Sequence, residues 1–277
     1  MTGPIHLSPT APLAERVLLP GDPGRALLLA QSLLQAPRMF NHRRGLWGYT
    51  GTAADGELLT IQSTGMGGPS VAIVIAELAA LGATTMLRVG TCGALEHSLE
   101  LGELLVVTEA RAEDGASRAL GAGAVTTPDA GLTTRLLAAA GAGGRHGPVV
   151  SSDLFYDGAP GAEERWRAAG ALAVEMETAT LFALAAQRGL TAASVLVVSG
   201  VILPVRRRIE DDALREAEHR LGDLAARALT EDSAASILSG RSGGSTASIP
   251  EDDRGVDGVD SLSRTPSHRP SPARHSP

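Results

Sequence analysis

Short apolar runs bounded by turn residues alternate along this chain with longer segments in which apolar positions recur every three or four residues. The runs ERVLLPG, LLTIQST, TMLRVGT, ELLVVTEA, GPVVSSD, ALAVEME and ASVLVVSG are strand-like, whereas residues 71–81, Thr178–Arg188 and residues 213–229 carry a helical period. The alternation predicts an α/β fold, a single domain whose mixed, largely buried central sheet is flanked by helices. Sheets of this kind bind ligands beyond their strand ends, so chemistry is expected in the residues just after each apolar run.

From Ser233 the pattern stops. The remaining residues are rich in Ser, Pro, Gly and Asp with few large apolar side chains, too few to offset the entropy of ordering them. The expected division is therefore a domain over 1–232 and a disordered tail over 233–277. The Arg and His residues near the end of the tail are read as solvated in preference to a partner contact.

Composition narrows the function. With 277 residues, 43% of them hydrophobic, the chain can build one sizeable core. A net charge of −7 argues against a dedicated nucleic-acid binder. The longest apolar stretch, SVAIVIAELAALGA, is interrupted by Glu77 and is too short to span a membrane. The N-terminus lacks the charged and apolar regions of a secretory signal, so a cytoplasmic location is expected. The single cysteine, Cys92, excludes an intrachain disulfide and a paired-cysteine metal site. All 24 basic residues are arginine. That excludes a P-loop and a Schiff-base lysine, and leaves any anion to arginine and backbone N–H groups.

Four stretches at strand ends carry candidate chemistry. STGMGGPS (63–70) places glycines around Met66 before a helix, as a tight strand-to-helix turn or a place where a ligand meets backbone. VLLPGDPGRA (17–26) puts Gly21 after a strand and Arg25 in the following turn or helix start, which an ordinary Asp-Pro turn would also explain. In LRVGTCGAL (87–95), Arg88 sits within an apolar strand, where a charge needs an ion-pair partner or an anionic ligand, and Thr91 follows in a small polar turn. In AVEMETATLFAL (173–184), Glu175 and Glu177 share a face if the segment is extended, with Met176 opposite. An acid at a helix start also accounts for Glu177.

Taken in order, PGDPGRA, NHRRG, STGMGGPS, LRVGTCGAL, VVSSDLFY and AVEMETATLFAL closely resemble the nucleoside phosphorylase family, which includes uridine phosphorylases and hexameric-type purine nucleoside phosphorylases. The resemblance spans roughly residues 4–230. It implies attack of phosphate on the anomeric carbon of a nucleoside, through an oxocarbenium-like transition state with charge building on the departing base. Inorganic phosphate is then a co-substrate, with no organic cofactor and no metal. By the same resemblance Gly21, Arg25, Arg88 and Thr91 hold phosphate, joined by Arg44 from a neighbouring subunit; Arg43 is the adjacent candidate. His6 lies near the ribose 5′ end across the subunit contact, Met66 and the glycines around it let backbone approach the nucleoside, Met176 packs against the sugar, and Phe155 packs against the base. Glu177 accepts hydrogen bonds from the ribose hydroxyls, with Glu175 beside it. Arg88 and Glu177 are the expected catalytic residues, and the protein is expected to self-associate.

The base site departs from the family pattern in two places. Purine enzymes carry an acid where this chain has Gly200, and uridine enzymes carry a Gln-x-Arg element where this chain has Ala159 and Gly161. DGAS (114–117) and STGMGGPS resemble the uridine side especially, while TPDAGLT and AVEMETATLF equally resemble purine and methylthioadenosine phosphorylases. Because the purine acid is missing outright, the sequence leans slightly to uridine. A purine nucleoside or methylthioadenosine phosphorylase is the enzyme alternative, and a non-catalytic nucleoside-binding subunit the other. The arginines of PVRRR (204–208) are read as a solvated loop in preference to a contact with a uracil oxygen.

Overall fold

The computed structural model describes residues 3–156 and 158–240, the last ten of these as backbone alone. In chain order, β1 (Arg16–Leu19) leads into α1 (Pro23–Leu33), and β2 (Gln35–Asn41), β3 (Gly48–Thr52) and β4 (Leu58–Gln62) form an antiparallel meander. Helix α2 (Gly68–Ala80) is followed by β5 (Thr85–Ala94), β6 (Leu104–Ala112), α3 (Gly115–Ala119) and β7 (Val125–Thr126). Next come α4 (Ala130–Ala140), β8 (Arg145–Ser151), α5 (Ala162–Ala168) and β9 (Ala173–Glu175). The described chain ends with α6 (Thr178–Arg188), β10 (Thr191–Val201), β11 (Arg207–Arg208) and α7 (Asp211–Gly240).

Each strand-like run of the sequence falls on a strand: β1, β4, β5, β6, β8, β9 and β10. Helix α6 has the bounds its periodicity gives, and α2 starts three residues before its apolar period, with Pro69 in its first turn. Helix α7 continues through Gly240, because Ala234, Ala235, Ile237 and Leu238 are compatible with a helix. Residues 233–240 therefore prolong it beyond the boundary drawn at Ser233, and 241–277 lie outside the described residues. Among the described residues no helix is long and apolar enough to cross a membrane.

Strand β5 organises the sheet. Along one edge it pairs with β10 in parallel for its whole length. Along the other, Thr85–Arg88 pair with β1, while Gly93 and Ala94 pair with β9. The pairings β5–β10, β10–β6, β6–β8, β8–β9 and β9–β5 close a ring, and β1, β4, β3 and β2 extend from it as an open sheet. Between Arg88 and Gly93 the strand thus stands at a fork, the kind of divergence where α/β sheets open a crevice.

The period-two alternation splits the core into two layers. Val17, Leu19, Met86, Leu196 and Val198 face Val71, Val74, Ile75 and Leu78 of α2 and Leu181 and Phe182 of α6. Leu18, Leu87, Val89, Val195 and Val197 face α1, α4 and α7 through Leu29, Leu136 and Leu221. Arg88 shares its parity with Met86, so it projects toward the α2–α6 layer. Where α2 starts, a Cβ on Gly68 would lie 2.6 Å from Ala116 Cβ and 2.9 Å from both Asp114 Oδ2 and Thr180 Oγ1. Helices α2, α3 and α6 converge there. Gly68→Ala should therefore destabilise the protein by about 1–3 kcal/mol, the usual cost of overpacking, visible as a lower melting temperature. An unchanged melting temperature would mean that the three helices do not approach this closely.

Candidate active site

The guanidinium of Arg88 folds back along β5. A Cβ on Gly90 would stand 2.7 Å from Arg88 Cζ and Nη2, so the residue two positions on must be glycine for the side chain to lie there. The side chain is 4% exposed and meets two carboxylates. Its Nε and Nη2 each donate to Glu175 Oε2 at 3.0 Å, and Nη2 also lies 2.5 Å from Glu177 Oε2. Burial acts to lower the arginine's pKa, but the charges of Glu177 and Glu175 outweigh it and raise the value. One cation thus faces two buried acids.

The acids differ in what else they touch. Glu175, the last residue of β9, accepts the backbone N–H groups of Glu177 and Thr178 at 3.0 Å and the hydroxyl of Ser151. Ser151 Oγ in turn accepts Ala179 N–H at 2.8 Å, so orphan donors at the start of α6 are satisfied by these two side chains. With these partners and Arg88, Glu175 is occupied as a bracket between strand, helix and arginine. Glu177 is the N-cap residue of the same helix at φ −137°, and besides Arg88 its carboxylate accepts Gly67 N–H at 2.5 Å and the backbone N–H of Met176. Burial pushes its pKa up, Arg88 pulls it down and Glu175 adds to the rise; the net direction is upward.

Gly67 belongs to the turn that the sequence singles out. Gly65 has φ +73° and Gly67 φ +83°, left-handed values that side chains avoid, and a Cβ at Gly65 would meet Ser70 Oγ at 2.5 Å. Met66 is carried between them with 84% of its surface exposed. This turn is also tied to the one after β1: Thr64 N–H donates to Pro20 O at 2.9 Å and Gly65 N–H to Gly21 O at 3.0 Å. A Cβ on Gly21 would stand 3.2 Å from Gly65 O. Asp22 then caps α1 by accepting Arg25 N–H at 3.1 Å, which places Arg25 in the first turn of the helix. From there Arg25 reaches the other face of β5, with Nη1 3.5 Å from Val89 O and Nε 2.7 Å from Glu218 Oε1. The two arginines therefore approach the fork of β5 from opposite faces of the sheet, and partly exposed Thr91 lies between β10 and the open edge.

Farther along, Gly200 of β10 pairs with Gly93 of β5 and with Arg208 of β11. Its φ is outside the left-handed region, and a Cβ there would have only Arg207 O within 4 Å, at 3.4 Å. Met176 is partly buried beside the two acids, while Phe155 is 66% exposed and packs edge-on against Tyr156 at 4.8 Å. In the PVRRR loop, Arg206 Nη2 lies 2.6 Å from Glu163 of α5 and Arg208 Nη2 lies 3.5 Å from Asp211. Asp114 of DGAS is a buried cap of α3, accepting Ser117 N–H at 2.8 Å and Thr180 Oγ1 at 2.7 Å.

Two predicted site residues stand apart from the cluster within the chain. His6 Nδ1 lies 2.7 Å from Glu77 of α2, which also accepts the backbone N–H groups of Ile5, His6 and Leu7. Burial raises the Glu77 pKa, but these hydrogen bonds, the His6 ring first, bring it to about 2. The stability they contribute is present above the ordinary carboxylate value and is lost only as pH falls toward 2. Arg44 sits on an exposed turn at φ +57° beside exposed Arg43.

A family model described as the phosphorylase superfamily matches residues 15–231. The chain belongs to the phosphorylase superfamily. A purine nucleoside phosphorylase DeoD-type of Geobacillus kaustophilus (strain HTA426) is 39% identical over 208 residues, 72% of this chain and 86% of the relative. A guanosine phosphorylase of Halorubrum lacusprofundi is 37% identical over 208 residues, 73% of this chain and 86% of the relative. A purine nucleoside phosphorylase DeoD-type of Clostridium perfringens (strain SM101 / Type A) is 35% identical over 208 residues, with 72% and 87% covered. The resemblance to nucleoside phosphorylases and the mixed α/β fold it implies are thereby borne out, and this superfamily member is an enzyme of the pentosyltransferase type. The leaning to uridine is not supported: these relatives are named for purine nucleosides or guanosine.

Proposed function

We propose that this enzyme cleaves purine nucleosides with inorganic phosphate, releasing the free base and ribose 1-phosphate. The observation that carries the reading is the buried Arg88–Glu175–Glu177 cluster at the fork of β5, tied to the glycine turn through Gly67. In it a fixed cation stands where an attacking anion is needed, beside a carboxylate suited to a sugar that gains positive charge. Gly21, Arg25, Arg88 and Thr91 hold phosphate. Glu177 accepts the ribose hydroxyls, which aligns the anomeric carbon, and its charge favours the ribosyl cation. Glu175 fixes Arg88 and the start of α6. Met66, Met176 and Phe155 border the nucleoside, and His6 and Arg44 complete the site of a neighbouring copy in a homo-oligomer. Purine in place of uridine rests on the names of the relatives.

Gly200 supplies the test of base placement. Departure of a purine gains from an acid near N7, and such assistance is worth roughly 10²–10⁴ in rate when well placed. Gly200→Asp adds that acid at a position where the backbone tolerates a side chain. Parallel assays with inosine and uridine should show wild type favouring inosine and the variant raising the inosine-to-uridine ratio further, at a similar melting temperature. A stable variant with an unmoved ratio would mean that position 200 does not face the base.

A further inference from the structure

We infer that Glu218 of α7 is a positioning residue for phosphate: it fixes the Arg25 side chain in the pose that receives the anion. The inference deepens the proposed function and rests on its assignment of Arg25. Glu218 comes from a helix 193 residues away in sequence, yet its Oε1 accepts the Arg25 Nε at 2.7 Å. Both side chains are nearly buried, 9% and 13% exposed. An arginine side chain has considerable rotamer freedom to lose on binding an anion. Engaging Nε removes that freedom beforehand and directs the guanidinium at the fork of β5, where Nη1 stands 3.5 Å from Val89 O. Arg88 is treated the same way, its Nε taken by Glu175. Each arginine at the fork of β5 is thus oriented through Nε by a carboxylate from another element.

A carboxylate near a phosphate also repels it, so positioning and repulsion predict opposite signs. Inorganic phosphate is titrated calorimetrically into the full chain as wild type, Glu218→Ala, Glu218→Gln, Arg25→Ala and the Arg25→Ala/Glu218→Ala pair. Positioning predicts that Glu218→Ala weakens phosphate binding by about tenfold, the size typical for losing a partner that orients a ligand-binding side chain. Glu218→Gln keeps an oxygen for Nε and should recover most of the loss. In the Arg25→Ala background the second substitution should add little. In steady state, the Michaelis constant for phosphate should rise in Glu218→Ala while that for inosine stays near its wild-type value. Unchanged or tighter phosphate binding in Glu218→Ala would overturn the inference, as would a glutamine variant as weak as the alanine one, or a wild type that binds no phosphate. A wild type that binds phosphate with these variant effects but cleaves no purine nucleoside would sustain the inference and contradict the proposed reaction.

Discussion

Arg88→Ala should lower kcat/KM for phosphate by at least about a hundredfold, the scale of losing one preorganised donor at a developing charge. The side chain has no substitute, because the chain contains no lysine and Arg25 reaches the strand from the other face of the sheet. The same change leaves Glu175 and Glu177 buried without their cation, which should cost roughly 3–5 kcal/mol of stability. Melting temperature is therefore measured with rate, and Arg88→Lys is made alongside. Lysine keeps the charge but cannot donate from Nε and Nη2 at once, so it should recover stability better than turnover. A folded Arg88→Ala enzyme with ordinary phosphate dependence would remove Arg88 from the phosphate site.

Glu177→Gln should lower kcat by roughly 10²–10³, with a much smaller rise in the nucleoside KM, the pattern of an interaction strengthened in the transition state. Glutamine can still accept Gly67 N–H through its oxygen, and Arg88 stays bracketed by Glu175, so the variant should fold. On the proposed reading, what it loses is the charge opposite the ribosyl cation. The pH dependence follows from the upward shift that burial imposes on Glu177. The proposed role needs its ionised form, so wild-type kcat/KM should fall on acidification at a pH above the ordinary carboxylate range. That limb should be absent in Glu177→Gln. The stability linkage has the opposite sign: a raised folded pKa means proton uptake on folding, favouring the folded state at low pH and losing that contribution as pH rises through the folded value. Near-normal kcat in Glu177→Gln would leave Glu177 as no more than a helix cap.

Much of this arrangement is legible in the sequence, for physical reasons. The strands carrying the site are buried on both faces, so they appear as apolar runs, and the polar residues that interrupt them stand out. Arg88 is such a residue, and the structure supplies ion-pair partners, Glu175 and Glu177, that the sequence names without pairing. The left-handed backbone around Met66 is readable because glycine alone tolerates it. Strand β2 is not readable: QAPRMFN contains a proline, Ala36 has φ +47° and most of its residues are exposed. Gly90 and Ser151 escape notice because one acts by lacking a side chain and the other by a single hydroxyl. Glu77 looks like an interruption of an apolar helix until the N-terminal segment folds onto it. Glu218 has no local signal at all, lying among the many charges of α7. The uridine leaning fails for a related reason. It rests on an absent acid at Gly200, and an absence does not identify a base; of the uridine-like DGAS motif, Asp114 is engaged in capping α3.

The central claim is tested most directly by phosphorus NMR of one reaction mixture holding equal inosine, guanosine and uridine, run with and without inorganic phosphate, with chromatography of the released bases. The account predicts that the ribose 1-phosphate resonance grows only with phosphate present, in step with hypoxanthine and guanine and ahead of uracil. Base release without phosphate, no ribose 1-phosphate, or uracil appearing first would contradict it.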